Sequence, residues 1–366
     1  MISFLIILAG IPLGIHFYIR FNPQFGGKLS ATLVERYQKS PQWSQGIFQN
    51  TVITTMNISV KNIPGLIRQQ ITGRKNRAPK KKIPVIPLDI EAFSSVAEQP
   101  KFIWYGHSVL LLKIAGKNIL IDPMFGQDAS PVGPITTKRF SNNTLEIIDQ
   151  LPEIDLLLQT HDHYDHLDYK SILKLQGKVK NYWVGLGIGR HLEKWGVESS
   201  LIREFDWWDE DLFEEINITY TPARHFSGRG TSDRSKSLWG GWVLKSHNYK
   251  IYWSGDGGYG DHFEAVGQAL GPFDIGFMEC GQYNEHWHQI HMYPEEAVQA
   301  AIDAGCKKAM PVHWGGFTLA LHNWQEPIRR FQNEARNKSL AIITPEIGEI
   351  VILDQERDWQ NWWELY

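Results

Sequence analysis

The sequence predicts an α/β fold in which two β-sheets are enclosed by helices. Three observations predict it: short apolar runs recur from residue 101 onward, turn chemistry separates them, and helical patterns are interposed at intervals. Strands arriving in runs, with helices between them, suit stacked sheets under helical cover and not a bundle or a plain sandwich. A chain of 366 residues is long enough to bury one large core or two modest ones.

The chain opens on MISFLIILAGIPLGIHFYI, which lacks Lys, Arg, Asp and Glu. As a helix rising about 1.5 Å per residue it would extend roughly 28 Å, close to a bilayer core. Residues 1–20 therefore read as a membrane anchor. A cleaved signal peptide is the rival, yet the charged n-region and the small-residue cleavage site are missing, because Arg20, Phe21 and Asn22 follow the run. A buried core helix is the other alternative, with His16 and Pro12 counting mildly for it. Arg20, Lys28 and Arg36 favour a cytoplasmic body.

Residues 21–100 read as an N-terminal extension. Six basic residues fall between Arg74 and Lys82, among Pro79, Pro84 and Pro87, which suits a solvated linker. Contact with anionic lipid heads is the alternative, each basic residue near such a surface contributing about 1 kcal/mol. The formal net charge of −3 offers no general reason to expect a nucleic-acid partner. Cys280 and Cys306 are too few for a disulfide framework, although one bridge is open to them if they lie close. The fifteen tryptophans are accounted for by core packing or by a lipid interface.

Residues 101–366 carry the predicted body. KFIWYG, SVLLLKIAG, KNILIDP, IDLLLQT, NYWVGLG, NITYTPA, GGWVLKS, YKIYWSGD, DIGFMEC, KKAMPVHW and EIVILD each read as a strand. DHLDYKSILKLQG, IGRHLEKWG, YPEEAVQAAIDAG and NWQEPIRRFQNEA read as helices. Polar clusters fall at strand ends, where functional loops sit on a rigid frame.

The densest of these clusters is THDHYDHLD, residues 160 to 168. It follows the strand IDLLLQT and precedes a helix that Asp168 is placed to cap. His161 and His163, two residues apart, leave an extended backbone on the same side, and Asp165 and His166 continue round the turn. Converging imidazoles and carboxylates are costly to bury alone, and divalent cations remove the cost. Later strand ends supply further donors: His225 after NITYTPA, Asp256 after YKIYW in a glycine-rich turn, and His313 in AMPVHWGG.

H-x-H-x-D-H after a strand, then His, then Asp in an S-G-D turn, then His in a V-H-W segment, resembles the metallo-β-lactamase fold superfamily. WYGHSVLLLKIAGKNILIDPMF, THDHYDHLD, LWGGWV, SGDGGYGDHF, YPEEAVQAA and PVHWGGF resemble its N-acylphosphatidylethanolamine-hydrolysing phospholipase D branch and bacterial relatives. The ascorbate-6-phosphate lactonases are a more distant likeness. The resemblance spans roughly residues 101–350.

It implies an αββα sandwich with two divalent ions, zinc foremost, at one sheet edge. By position, His161, His163 and His225 would hold the first ion, Asp165, His166 and His313 the second, and Asp256 would bridge them, with Asp165 and Asp256 counted as catalytic. Asp122 and His107 would orient ligands, and His291 would contact substrate. Two divalent ions about 3.5 to 4 Å apart share a water, lower its pKa and stabilise a developing oxyanion. The implied activity is a membrane-associated, phospholipase D-like hydrolysis of N-acylphosphatidylethanolamine or related phospholipids by a metal-bridging hydroxide. The alternative is a lactonase or other hydrolase of a small soluble substrate. Mammalian members of the branch carry a polar amide residue where Ile290 stands, so identical head-group preference does not follow.

Overall fold

The computed structural model describes residues 14, 17–59, 61–72, 75–131 and 137–366. Most of the N-terminal apolar run, and Arg74 of the basic segment, lie outside the described residues. Among the described residues no helix is long and apolar enough to cross a membrane.

A short hairpin, β1 (Trp43–Ser44) and β2 (Ile47–Phe48), precedes the body. Then come β3 (Lys101–Trp104), β4 (Leu110–Ile114), β5 (Lys117–Ile121), β6 (Leu156–Gln159), β7 (Tyr182–Gly185) and β8 (Ile202–Phe205). The second half supplies β9 (Glu210–Phe213), β10 (Ile216–Thr221), β11 (Gly241–Lys245), β12 (Lys250–Trp253), β13 (Ile275–Glu279), β14 (Lys308–Val312) and β15 (Ala341–Ile342), and β16 (Ile350–Ile352) returns to the first half. Two seven-stranded sheets result, ordered β16-β3-β4-β5-β6-β7-β8 and β15-β14-β13-β12-β11-β10-β9. Each is antiparallel over one part and parallel over the other, the change falling at β5–β6 and at β12–β13.

Alternation along the strands makes the layers. Phe102 and Trp104 join the core between the sheets, where Phe102 meets Phe277 of the other sheet edge to face at 5.1 Å. Ile103 and Leu111 point the other way, into a second core with Ile172, Leu175 and Leu192 of the helices Tyr169–Leu175 and Gly189–Lys194. The helices Pro294–Asp303 and Glu326–Asn337 bury Val298, Ala301, Ile328 and Phe331 against the outer face of the second sheet. The arrangement is the expected αββα sandwich.

Tryptophan is mostly core material here. Trp104, Trp239, Trp242, Trp253, Trp314 and Trp363 are almost wholly buried. Trp314, next to His313, stacks on Trp362 at 5.5 Å, so the chain's last turn braces that strand end. Cys280 and Cys306 are both buried and free. Residues of the N-terminal extension enter the cores as well: Tyr37, Phe48 and Ile83 pack into the first and Phe93 into the second, while Lys80, Lys81 and Lys82 are exposed.

Candidate metal centre

The strand ends of both sheets meet at one edge. His107, just past β3, accepts a backbone bond from His313 (2.9 Å) and donates one to Trp314 (2.9 Å), joining the two sheets there. His107, Asp122 and His313 hold φ values of 56°, 44° and 65°, a left-handed conformation that costs non-glycine residues energy and that gathers at functional sites. Gly255, before Asp256, has φ 64°, and a Cβ there would lie 2.2 Å from the Gly240 carbonyl. Only glycine makes that turn.

The seven donors anticipated from the sequence converge. His163 Nδ1 lies 3.0 Å from His161 Nε2 and 3.1 Å from His225 Nε2. Asp256 Oδ2 lies 3.0 Å from His166 Nε2, 2.9 Å from His313 Nε2 and 3.9 Å from His161 Nε2. Asp165 Oδ2 is 3.2 Å from His313 Nε2 and 2.9 Å from His107 Nε2. Among the described residues, His161, His163 and His225 form one group able to hold a metal ion, and Asp165, His166, His313 and His107 form another. Asp256 belongs with His161 and His166 in a third, between the two.

Tautomers test whether cations fit. Asp122 accepts from Gln159 Nε2 (2.9 Å), the Thr160 N–H (2.8 Å), Thr160 Oγ1 (2.7 Å) and His166 Nδ1 (2.9 Å). With its own proton given to Asp122, the Thr160 hydroxyl accepts from His161 Nδ1 at 3.0 Å. His225 Nδ1 donates to the Ile290 carbonyl at 2.9 Å. Each anchor holds a ring proton on the outer nitrogen, so bare lone pairs of His161 and His225 face inward, and the inward nitrogen of His166, which faces Asp256, has only its second proton to give up to a metal ion. One proton on His163 Nδ1 can satisfy only one of the lone pairs of His161 and His225, whereas a cation between the three nitrogens would satisfy them all. The donor set fits divalent metal.

The charge states agree. Burial, then the neighbouring imidazoles, pushes His161 and His225 well below the usual histidine range, and burial brings His163 down to about 4. Burial also opposes charge on His166, yet Asp256, Asp165 and Asp122 outweigh it and hold its pKa at about 10. His313 is raised well above its usual value, Asp256 and Asp165 overcoming its burial. Protons thus collect where carboxylates need positive charge, the place a second cation would take.

Asp122 meets His166 and His107 meets Asp165, and Asp168 caps its helix through the Ser171 N–H at 2.8 Å. His291 lines the cavity, its Nδ1 held by buried Glu279 at 2.7 Å. Asp162 turns away from the donors to accept from the Gly228 N–H (2.7 Å), Ser237 Oγ (2.6 Å) and His191 Nε2 (3.2 Å). Buried Arg229 ties both ends of the loop, donating to the carbonyls of Asp162 (2.6 Å) and Leu167 (2.8 Å). Asp162 and Arg229, with Glu279 and Thr160, were not singled out from the sequence. Strand-like alternation was the available signal for Asp162, which sits at an even position between His161 and His163.

The beta-lactamase superfamily domain matches residues 117–314, which run from β5 to the residue after His313. The chain belongs to the metallo-β-lactamase superfamily. An uncharacterized protein of Mycobacterium tuberculosis is 34% identical over 349 residues, 94% of this chain and 93% of that one. The N-acyl-phosphatidylethanolamine-hydrolyzing phospholipase D 1 of Caenorhabditis elegans is 31% identical over 265 residues, 68% of this chain and 74% of that one. Among solved structures, a metallo hydrolase from Ignicoccus hospitalis shares the fold, with a TM-score of 0.55 and 21% identity over 70% of this chain and 100% of that one. This member of the superfamily is a metal-dependent hydrolase, and its fold implies divalent ions.

One prediction arises from the Asp122 contacts. In Asp122→Asn an amide N–H faces His166 Nδ1, so the ring proton moves to Nε2, the inward nitrogen. Metal affinity is expected to fall by about 10- to 100-fold, measured by competition with a chromophoric chelator. Unchanged affinity would count against the tautomer argument.

Proposed function

We propose that this metallo-β-lactamase superfamily member is a phospholipase D-like phosphodiesterase acting on N-acylphosphatidylethanolamine or a related phospholipid. His161, His163 and His225 would hold one divalent ion, Asp165, His166 and His313 a second, and Asp256 would serve both. The imidazole-rich donor set suits zinc. The observation that carries the reading is this donor set opening into a cavity of about 300 Å³ whose wall includes Met56, Phe226, Trp287, Ile290 and Leu319. A polar, cation-binding floor beneath an apolar wall suits a phosphodiester attached to acyl chains. The nematode phospholipase D relative supports the same reaction class.

Bound divalent ions supply the charge that lowers the pKa of water and neutralises phosphoryl oxygens. The chain's own residues do the rest. Glu279 accepts from His291 Nδ1, which fixes the ring and leaves the Nε2 lone pair to accept from a head-group N–H or hydroxyl in the cavity. Gln282 holds the loop carrying Leu319 by accepting from the N–H groups of Leu319 (2.9 Å) and Ala320 (3.1 Å), so that side of the wall is rigid. Asp122, Thr160 and the Ile290 carbonyl keep ring protons away from the reacting centre.

The test offers N-acylphosphatidylethanolamine in mixed micelles, with and without chelator. Phosphatidic acid and an N-acylethanolamine should appear only without it, and no cleavage by the metal-loaded protein would reject the reading.

Membrane association through the N-terminal segment belongs to this proposal. Val52, Ile53 and Ile58, which flank Met56 in the chain, are exposed, Ile53 at 90%. The intact chain is expected to sediment with membranes and to resist a salt wash. A chain beginning at Phe17 keeps Pro23 and Gln24, whose carbonyls accept from Trp195 and Arg229, and is expected to stay in the supernatant with its metal. Release of the intact chain by salt alone would move the attachment to the exposed lysines 80–82, since surface charge contacts weaken with ionic strength.

A further inference from the structure

Asn50 lies far before the segment that carries the superfamily match, yet it grips a residue of the metal centre. Its Nδ2 donates to the His225 carbonyl at 2.8 Å and its Oδ1 accepts from the His225 N–H at 3.0 Å. The Trp239 indole N–H, shared with the Ala223 carbonyl at 3.0 Å, also reaches Oδ1 at 3.1 Å, in keeping with the amide orientation that the His225 N–H and carbonyl require. His225 follows β10 in a loop and is wholly buried. Among the described residues, Asn50 is the partner of both its backbone polar groups.

Asn50 is itself anchored. The Phe48 N–H donates to the Ser235 carbonyl at 2.8 Å, and the Phe48 ring is buried against Trp43 and Tyr37 at 4.8 and 5.6 Å. Further along, the Thr55 N–H donates to Gln289 Oε1 (2.8 Å) and the Asn57 N–H to the His286 carbonyl (2.7 Å), so the extension runs across the cavity rim and places Met56 in its wall. Two points then set His225: Asn50 fixes the peptide, and the Ile290 carbonyl fixes the ring through Nδ1. A ligand ring displaced by a fraction of an ångström no longer points its lone pair at the ion.

We infer that Asn50 is a positioning residue, through which the N-terminal extension holds His225 and the metal ion it serves. Only asparagine offers a donor and an acceptor at this reach: alanine leaves two buried peptide groups without partners, and aspartate keeps the acceptor but sets a carboxylate oxygen against the carbonyl. The inference rests on His225 holding a metal and not on the identity of the substrate.

The experiment uses the full chain as wild type, Asn50→Ala, Asn50→Asp and, as a control on the same strap, Gln49→Ala, whose side chain is exposed. Zinc affinity is read by chelator competition, the cobalt-loaded protein by its visible spectrum, and the metal-free protein by its Tm. Asn50→Ala is expected to weaken one ion by about 10- to 100-fold and to change the cobalt spectrum. Asn50→Asp should fall between it and wild type, and Gln49→Ala should match wild type. Should the alanine variant not fold, the aspartate variant carries the comparison. A lowered metal-free Tm with both ions held at wild-type affinity in the Asn50 variants would overturn the inference, as would an equal loss in Gln49→Ala. A wild-type chain that binds no ion would instead remove the metal assignment of His225.

Discussion

Purified chain is expected to bind close to two divalent ions, and His161→Ala to lose metal together with nearly all hydrolysis. His161 stands between the two donor groups: its Nε2 is 3.0 Å from His163 Nδ1 and 3.9 Å from Asp256 Oδ2, and its ring centre is 4.1 Å from that of His166. Removing it takes one of three imidazoles from the first group and leaves only His163 and His225, with the shared Asp256, to hold an ion. Asp256→Ala acts from the other side, because the carboxylate that faces both His166 and His313 is lost. A fall in kcat/KM of at least about 10³-fold, equivalent to about 4 kcal/mol of transition-state stabilisation, is expected for either variant. Elemental analysis after dialysis and turnover of a phosphodiester probe measure the two effects together. Full activity in a metal-free preparation would end the reading.

Much of this site could be read from residue order, because each donor follows an apolar strand and two of them sit at strand spacing. His161 and His163 project to one side and Asp162 to the other, as alternation requires. What escaped was contributed by distant parts of the chain. Asn50 acts through its carboxamide 175 residues from His225, and residue 290 acts on His225 through its carbonyl, for which no side-chain pattern exists. The same holds for the fold. The apolar strands and four helices stood out, whereas β8 and β9, each at one end of its sheet, carry Arg203, Glu204, Glu210 and Asp211, and of their residues only Phe205 is buried. The helix His262–Leu270 was also not anticipated. It buries only Phe263 and Val266, and Gly267 interrupts its apolar face. That glycine has a packing reason: a Cβ there would lie 2.6 Å from the Asp303 carbonyl, at the end of the adjoining helix.

Substrate preference gives the second large effect: kcat/KM on N-acylphosphatidylethanolamine in micelles should exceed that on a sugar-phosphate lactone by at least tenfold, about 1.4 kcal/mol of transition-state preference. Both reactions need charge stabilisation at the same centre, so the difference must come from the wall and the approach. Met56, Trp287, Ile290 and Leu319 offer acyl chains an apolar surface and offer a hydroxylated lactone ring little to bond. An N-terminal tether raises the local concentration of a lipid but does nothing comparable for a soluble lactone. Head-group selection is expected to be loose, because the Ile290 side chain has no group to hydrogen-bond a head-group amide. Plain phosphatidylethanolamine should therefore be cleaved as well, within about tenfold of the N-acylated lipid. Ile290→Gln restores a polar amide at that position, and should raise preference for the N-acylated head group while the Ile290 carbonyl, a backbone group, goes on holding His225. A tenfold advantage for the lactone would place the specificity in the polar floor of the cavity and transfer the assignment to a hydrolase of small soluble substrates.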